Sequence, residues 1–181
     1  MYAFIGIFLL LAATAAAGSF NAEMDVKTYV DADNANQSFS DSDLLWAAST
    51  GGQPGKEVYL SIINLFGSQG IFKPEKISSA TLTLDAAQVD KPGKIKAYFL
   101  HGATLDTTSW LDKDDYDEEV SSEPVEVEDT GSITIDVTPI IQKAVEVCTE
   151  GCPYSIVLVA EDDASIAFDS SSPELEYTTQ D

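Results

Sequence analysis

Ile77-Ser78-Ser79-Ala80-Thr81-Leu82-Thr83-Leu84 decides the fold. Its second half alternates, with Ala80, Leu82 and Leu84 on one face and Thr81 and Thr83 on the other. A period of two marks a strand with one buried and one wet face. A largely apolar run over residues 58–65 precedes it. Residues 94–100 follow across Asp90-Lys91-Pro92-Gly93, a strong turn signal. The centre of the chain therefore reads as an antiparallel sheet.

Outward from that centre the same pattern recurs in short pieces. Val26, Thr28 and Val30 alternate with Lys27, Tyr29 and Asp31, and residues 44–49 form a short strand carrying Trp46. Gly51-Gly52-Gln53-Pro54-Gly55 reads as a turn or loop. An irregular link with Pro74 leads into the central strand, and residues 132–137, 155–160, 166–168 and 175–177 are further strands. Thr138 as N-cap and Pro139 in the first turn open a helix with Ile140, Ile141, Ala144, Val145 and Val147 along one side. Residues 106–129 read as a long loop, with eleven acidic residues and one lysine. The expected fold is all-β: a jelly-roll-like β-sandwich with one short helix, a single domain over residues 21–181.

A different material precedes it. Phe4 through Ala17 is apolar except for Gly6 and Thr14, and ends in Ala15-Ala16-Ala17-Gly18-Ser19, small residues that a signal peptidase accepts. The run is short for a membrane span. Residues 1–20 are expected to be a secretory signal peptide; a retained hydrophobic helix, anchoring the protein or packing into a filament, is the alternative. Membrane contact is expected only if the segment is retained.

The 181 residues carry 31 Asp and Glu against 9 lysines and no arginine, a net charge of -22. Such a chain lacks the clustered cations that phosphate binding needs, which excludes nucleic acid. A divalent cation is the favoured small partner, with calcium the candidate. Asp31, Asp33, Asn34 and Asn36 crowd one loop and offer the oxygens a hard cation takes. Asp112, Asp114, Asp115, Asp117, Glu118 and Glu119 crowd another, and a solvated acidic face is the plain alternative for both.

Cys148 and Cys152, in Cys-Thr-Glu-Gly-Cys-Pro, are expected to form a disulfide that pins a local turn. His101, the single histidine, reads as a turn residue, so a Ser-His-Asp triad and a two-cysteine zinc site both lack partners. No enzyme is expected. Sugar binding would use aromatic faces beside polar groups; Trp110 and Tyr116 are the candidates, with Trp46 and Tyr29 behind them. Asn36-Gln37-Ser38 is an N-glycosylation sequon.

Several blocks, in order, resemble the DNRLRE domain, also described as a carbohydrate-binding module of family 96 type. They are Asp25-Val26-Lys27-Thr28-Tyr29-Val30-Asp31, Val58-Tyr59-Leu60-Ser61-Ile62, Ile77 to Leu84, Thr107-Thr108-Ser109-Trp110, Ile135-Asp136-Val137-Thr138 and Pro173-Glu174-Leu175-Glu176-Tyr177. The resemblance spans residues 25–177 and implies a β-sandwich of secreted or surface proteins, used in carbohydrate binding or surface assembly. Ile62-Ile63 departs from the family's Phe-Asp, and the arginine often found before it is absent. The expected function is that of an extracellular or cell-surface structural protein that self-associates. The alternatives are a polysaccharide-binding module and a filament subunit assembled through the N-terminal segment.

Overall fold

The computed structural model describes residues 18–64, 66–148 and 151–180. Among them are β1 (Ser19–Ala22), β2 (Met24–Asp31), β3 (Leu44–Thr50), β4 (Gln53–Ile63), β5 (Ile77–Lys91) and β6 (Gly93–His101). After these come β7 (Asp117–Ser121), β8 (Val125–Val127), β9 (Gly131–Asp136), the helix α1 (Thr138–Cys148), β10 (Pro153–Glu161), β11 (Ser165–Asp169) and β12 (Glu174–Thr179). Every strand pairing is antiparallel. The fold is the expected all-β sandwich. Its order β2-β4-β10-β6, with β7 and β8 on the far edge of β6, gives one layer. The other is β9-β5, then β11 and β12 end to end along β5, then β3 and β1 beyond them. The β3–β4 hairpin joins the layers, so the twelve described strands form one hydrogen-bonded sheet: nine lie on a continuous path from β1 to β7, and β2, β8 and β9 branch from β4, β6 and β5.

Alternation explains which faces meet. Ala80, Leu82, Leu84 and Ala86 of β5 turn inward with Leu175 and Tyr177 of β12. They meet Val58, Leu60 and Ile62 of β4, Ile156 and Leu158 of β10, and Ile95, Ala97 and Phe99 of β6. Burying one such aliphatic side chain stabilises by about 1.5–3 kcal/mol. The β4–β10 layer is apolar on its other face too, where Val30, Tyr59, Leu100, Val157 and Val159 form a second, smaller core. A sheet face in water does not need these residues; they imply a cover, and residues 102–116 supply it.

Four local expectations change. The turn between β3 and β4 is only Gly51 and Gly52, both at positive φ (61° and 76°), a pair that suits a two-residue hairpin turn. Gln53, Pro54 and Gly55 are therefore free to extend β4. Within the supposed acidic loop, β7 and β8 pair with β6 because Val120, Val125 and Val127 have a core to pack on. Thr138 does not cap α1: its hydroxyl donates to Asp136 (2.6 Å) and accepts from the Ala80 N–H (2.8 Å). The Asp136 carboxylate takes the Thr138 N–H instead, and Val137 accepts the first helical bond from Ile141. Val147 is exposed and does not share the buried stripe of Ile140, Ile141, Ala144 and Val145.

The apolar segment expected to be cleaved, buried or anchored lies in residues 1–17, outside the described residues. The sheet reaches back into the last residues assigned to it: Ser19 and Phe20 pair with Thr178 and Tyr177, and the Phe20 ring stacks on Tyr177 at 5.4 Å. Among the described residues no helix is long and apolar enough to cross a membrane.

Candidate functional site

Residues 102–116 lie across the outer face of the β4–β10 layer. The cross-strand row there is Thr28, Tyr59, Val157 and Tyr98, and the next is Val30, Glu57, Val159 and Lys96. The segment is tied down at its start by Thr104, whose N–H and hydroxyl both bond the Ser155 hydroxyl (3.2 and 2.9 Å). It is tied at its far end by Lys113. This lysine reaches through the cover to the buried Glu57 carboxylate, 2.9 Å away, on the same oxygen that accepts from the Tyr59 hydroxyl at 2.9 Å. The Lys113 ammonium lies 4.9 Å from the Trp110 ring centre and 5.9 Å from that of Tyr116, so the cation is held by ring faces and a carboxylate together.

Trp110 and Tyr116, expected as exposed sugar platforms, are thus brought together but half-buried, packed on the second core. Lys113 lies over the Trp110 ring. Tyr116 leans on Tyr98, with ring centres 4.6 Å apart, and borders a groove of about 540 Å³. The groove is lined from three places: Phe99, Leu100 and His101 at the end of β6, residues 114–116 of the cover with Asp117 at the start of β7, and Lys143 and Val147 of α1. Lys143 is paired with Glu146 at 2.9 Å, while Asp114, Asp115 and Asp117 bring negative charge. Burial, with the nearby Glu57 charge, pushes the Tyr116 hydroxyl up to about 12; burial, then Glu57, also raises that of Tyr59. Both hydroxyls remain protonated at neutral pH. The groove offers an aromatic edge, acceptor carboxylates and a size ordinary for a small-ligand site.

The expected calcium loop is placed beside this cover: the Leu111 N–H donates to Ala35 O at 3.1 Å, and the Ser38 hydroxyl donates to Asp106 O. Asp31 is buried, and its oxygens accept from the Asp33 N–H (2.9 Å) and the Asn34 amide (3.0 Å). The Lys56 ammonium stands 3.4 Å from it, lying 5.9 and 5.4 Å from the ring centres of Tyr29 and Trp46. Burial raises the Asp31 carboxyl, but the bonds from Asn34 and Asp33 and the Lys56 charge outweigh it and hold it below the ordinary aspartate range. The Lys56 ammonium thus balances the Asp31 charge. Asp33, Asn34 and Asn36 are exposed around a separate recess of about 340 Å³. Tyr29 is stacked on Phe39 at 4.3 Å, and the Trp46 ring carries the Lys56 ammonium at 5.4 Å and borders neither the groove nor this recess. A third recess, about 450 Å³ between the β1–β2 corner and the start of β12, has no aromatic lining.

Cys148 and Cys152 form a disulfide. His101, read as a turn residue, is the last residue of β6, lines the groove and approaches Cys152. Glu57, Tyr98 and Lys56 were not singled out by sequence, since ordinary strand positions carry them. Lys113 had a visible signal: it is the one cation among eleven acidic residues.

The family model for carbohydrate-binding module family 96 matches residues 18–178. No curated protein matches the chain.

Proposed function

The chain belongs to carbohydrate-binding module family 96, and from that membership we propose that it binds an extracellular polysaccharide through the groove beside Tyr116. Modules of this kind are typically non-catalytic and extracellular, which agrees with a chain expected to be exported and to lack an enzyme's acid and base. The observation that carries the choice of groove is the Tyr116 ring at its edge, backed by Tyr98, with carboxylates alongside. A sugar ring presents C–H faces to an aromatic ring and hydroxyls to carboxylates. Asp114, Asp115 and Asp117, within a chain of net charge -22, oppose uronate chains and favour neutral or amine-bearing ones.

The test is calorimetry against a panel of neutral, amino and uronate polysaccharides, with the parent and Tyr116→Ala. Binding by a neutral or amino polymer is expected, and the variant should lose at least about 1 kcal/mol, roughly fivefold. Unchanged binding by a folded Tyr116→Ala rejects the groove; no binding across the panel rejects the function.

One observation favours assembly as a second reading. β1 is a four-residue strand with pairing on one edge among the described residues, joined to β2 through Glu23 alone, a geometry open to strand exchange with a second copy. A mass that stays monomeric across concentrations removes this reading.

A further inference from the structure

We propose that His101, Cys148 and Cys152 form a binding site for a zinc-class divalent metal, available once their disulfide is reduced. The topology brings the three together across the fold. Cys148 is the last residue of α1 and Cys152 immediately precedes β10, while the β6–β10 ladder sets His101 opposite Tyr154, two residues beyond Cys152. His101 Nε2 stands 3.7 Å from Cys152 Sγ, and all three ligand atoms lie within 4.8 Å of one another.

Those spacings suit a tetrahedral ion. With metal–sulfur and metal–nitrogen bonds of about 2.3 and 2.05 Å, the nitrogen and a sulfur sit about 3.5 Å apart and two sulfurs about 3.8 Å apart. The His101–Cys152 separation is nearly there already. The cysteine Cα atoms are 4.9 Å apart, so side-chain rotation supplies the sulfur–sulfur spacing once the covalent bond is gone. The surroundings favour a cation: Cys148 ends an 11-residue helix, where the dipole is negative. Val147 O also lies 3.8 Å from Cys152 Sγ. Cys148 is buried, Cys152 half-buried and His101 exposed, which leaves an entry path and a fourth position for water.

The chemistry balances with a thiol reductant. Two thiols give up their protons and two electrons and join as a disulfide; the Cys148–Cys152 bond breaks and each sulfur gains a proton. The metal then displaces both thiol protons to solvent, and neutral His101 gives the Nε2 lone pair. Disulfide and metal exclude each other.

The test reduces the intact protein with a water-soluble phosphine, which takes up a water oxygen and leaves no competing thiol, and then titrates Co²⁺. A thiolate-to-cobalt absorption band saturating at one ion per chain is expected, displaced by Zn²⁺ and absent from the oxidised protein. His101→Ala should weaken Co²⁺ binding by at least the roughly tenfold that loss of an outer-shell partner costs. Three results overturn the proposal: no thiolate band, His101→Ala binding like the parent, or loss of the β-sheet circular dichroism signal on reduction.

Discussion

Replacing Lys113 by Met leaves the Glu57 carboxylate buried under residues 102–116 with the Tyr59 hydroxyl as its remaining close partner. Glu57 is 3% exposed in its side chain and Lys113 15%, so water does not replace the lost ammonium. Removing one member of such a buried pair costs about 3–5 kcal/mol, mostly the penalty of the charge left behind. A domain of this size moves its Tm by about 2–4 °C per kcal/mol, which converts to a fall of roughly 6–20 °C. Urea unfolding is the assay, and the midpoint should fall with an unchanged slope. Adding Glu57→Gln to Lys113→Met removes the stranded charge and should restore most of the loss. A single-variant loss under about 1 kcal/mol, the size found for exposed pairs, or a double variant no better than the single, refutes the idea that Lys113 holds the cover through a desolvated carboxylate.

Two further outcomes follow from the Asp31 site. Calcium should raise the Tm of Lys56→Met more than sodium does at matched ionic strength, because the Asp31 carboxylate then lacks its ammonium partner; equal shifts in that variant reject Asp31 as a cation ligand. The Asp31 carboxyl is held below its ordinary value, so its stabilisation is present above the unfolded-state pKa and is lost as pH falls through the folded-state pKa. The stability difference between parent and Asp31→Asn, measured by urea unfolding, should therefore shrink on acidification, and a difference independent of pH rejects the linkage.

The sandwich was legible because its strands carry a period of two, and Ala80, Leu82 and Leu84 turned inward as that period requires. The helix was legible for the same kind of reason, though its cap was not: whether Thr138 faces its own backbone or β5 depends on a strand 58 residues away. Trp110 and Tyr116 were expected as exposed platforms, but their half-burial was not legible, since an acidic loop has no periodicity to show what lies beneath it. The lysine latches were harder still. Lys56–Asp31 and Lys113–Glu57 each pair residues that share no local pattern, and only the closure of the sheet places the ammonium against its rings and carboxylate. His101 is 51 residues from Cys152, and the ladder, not the motif, makes them neighbours.

The seam between β1 and β12 also decides how the domain answers to force. Gly18 and Thr179 are bonded to each other, Thr179 N–H to Gly18 O at 2.9 Å, and Ser19, Phe20, Asn21 and Ala22 follow in antiparallel register against Thr178, Tyr177, Glu176 and Leu175. A pull on these two ends is perpendicular to the ladder at its last rung. The rungs then break one after another, as in a zipper, and never share the load as they would in shear. A tether attached on both sides of the domain would first peel β1 away at low force, gaining a few residues of slack, while the packed layers behind it stayed closed.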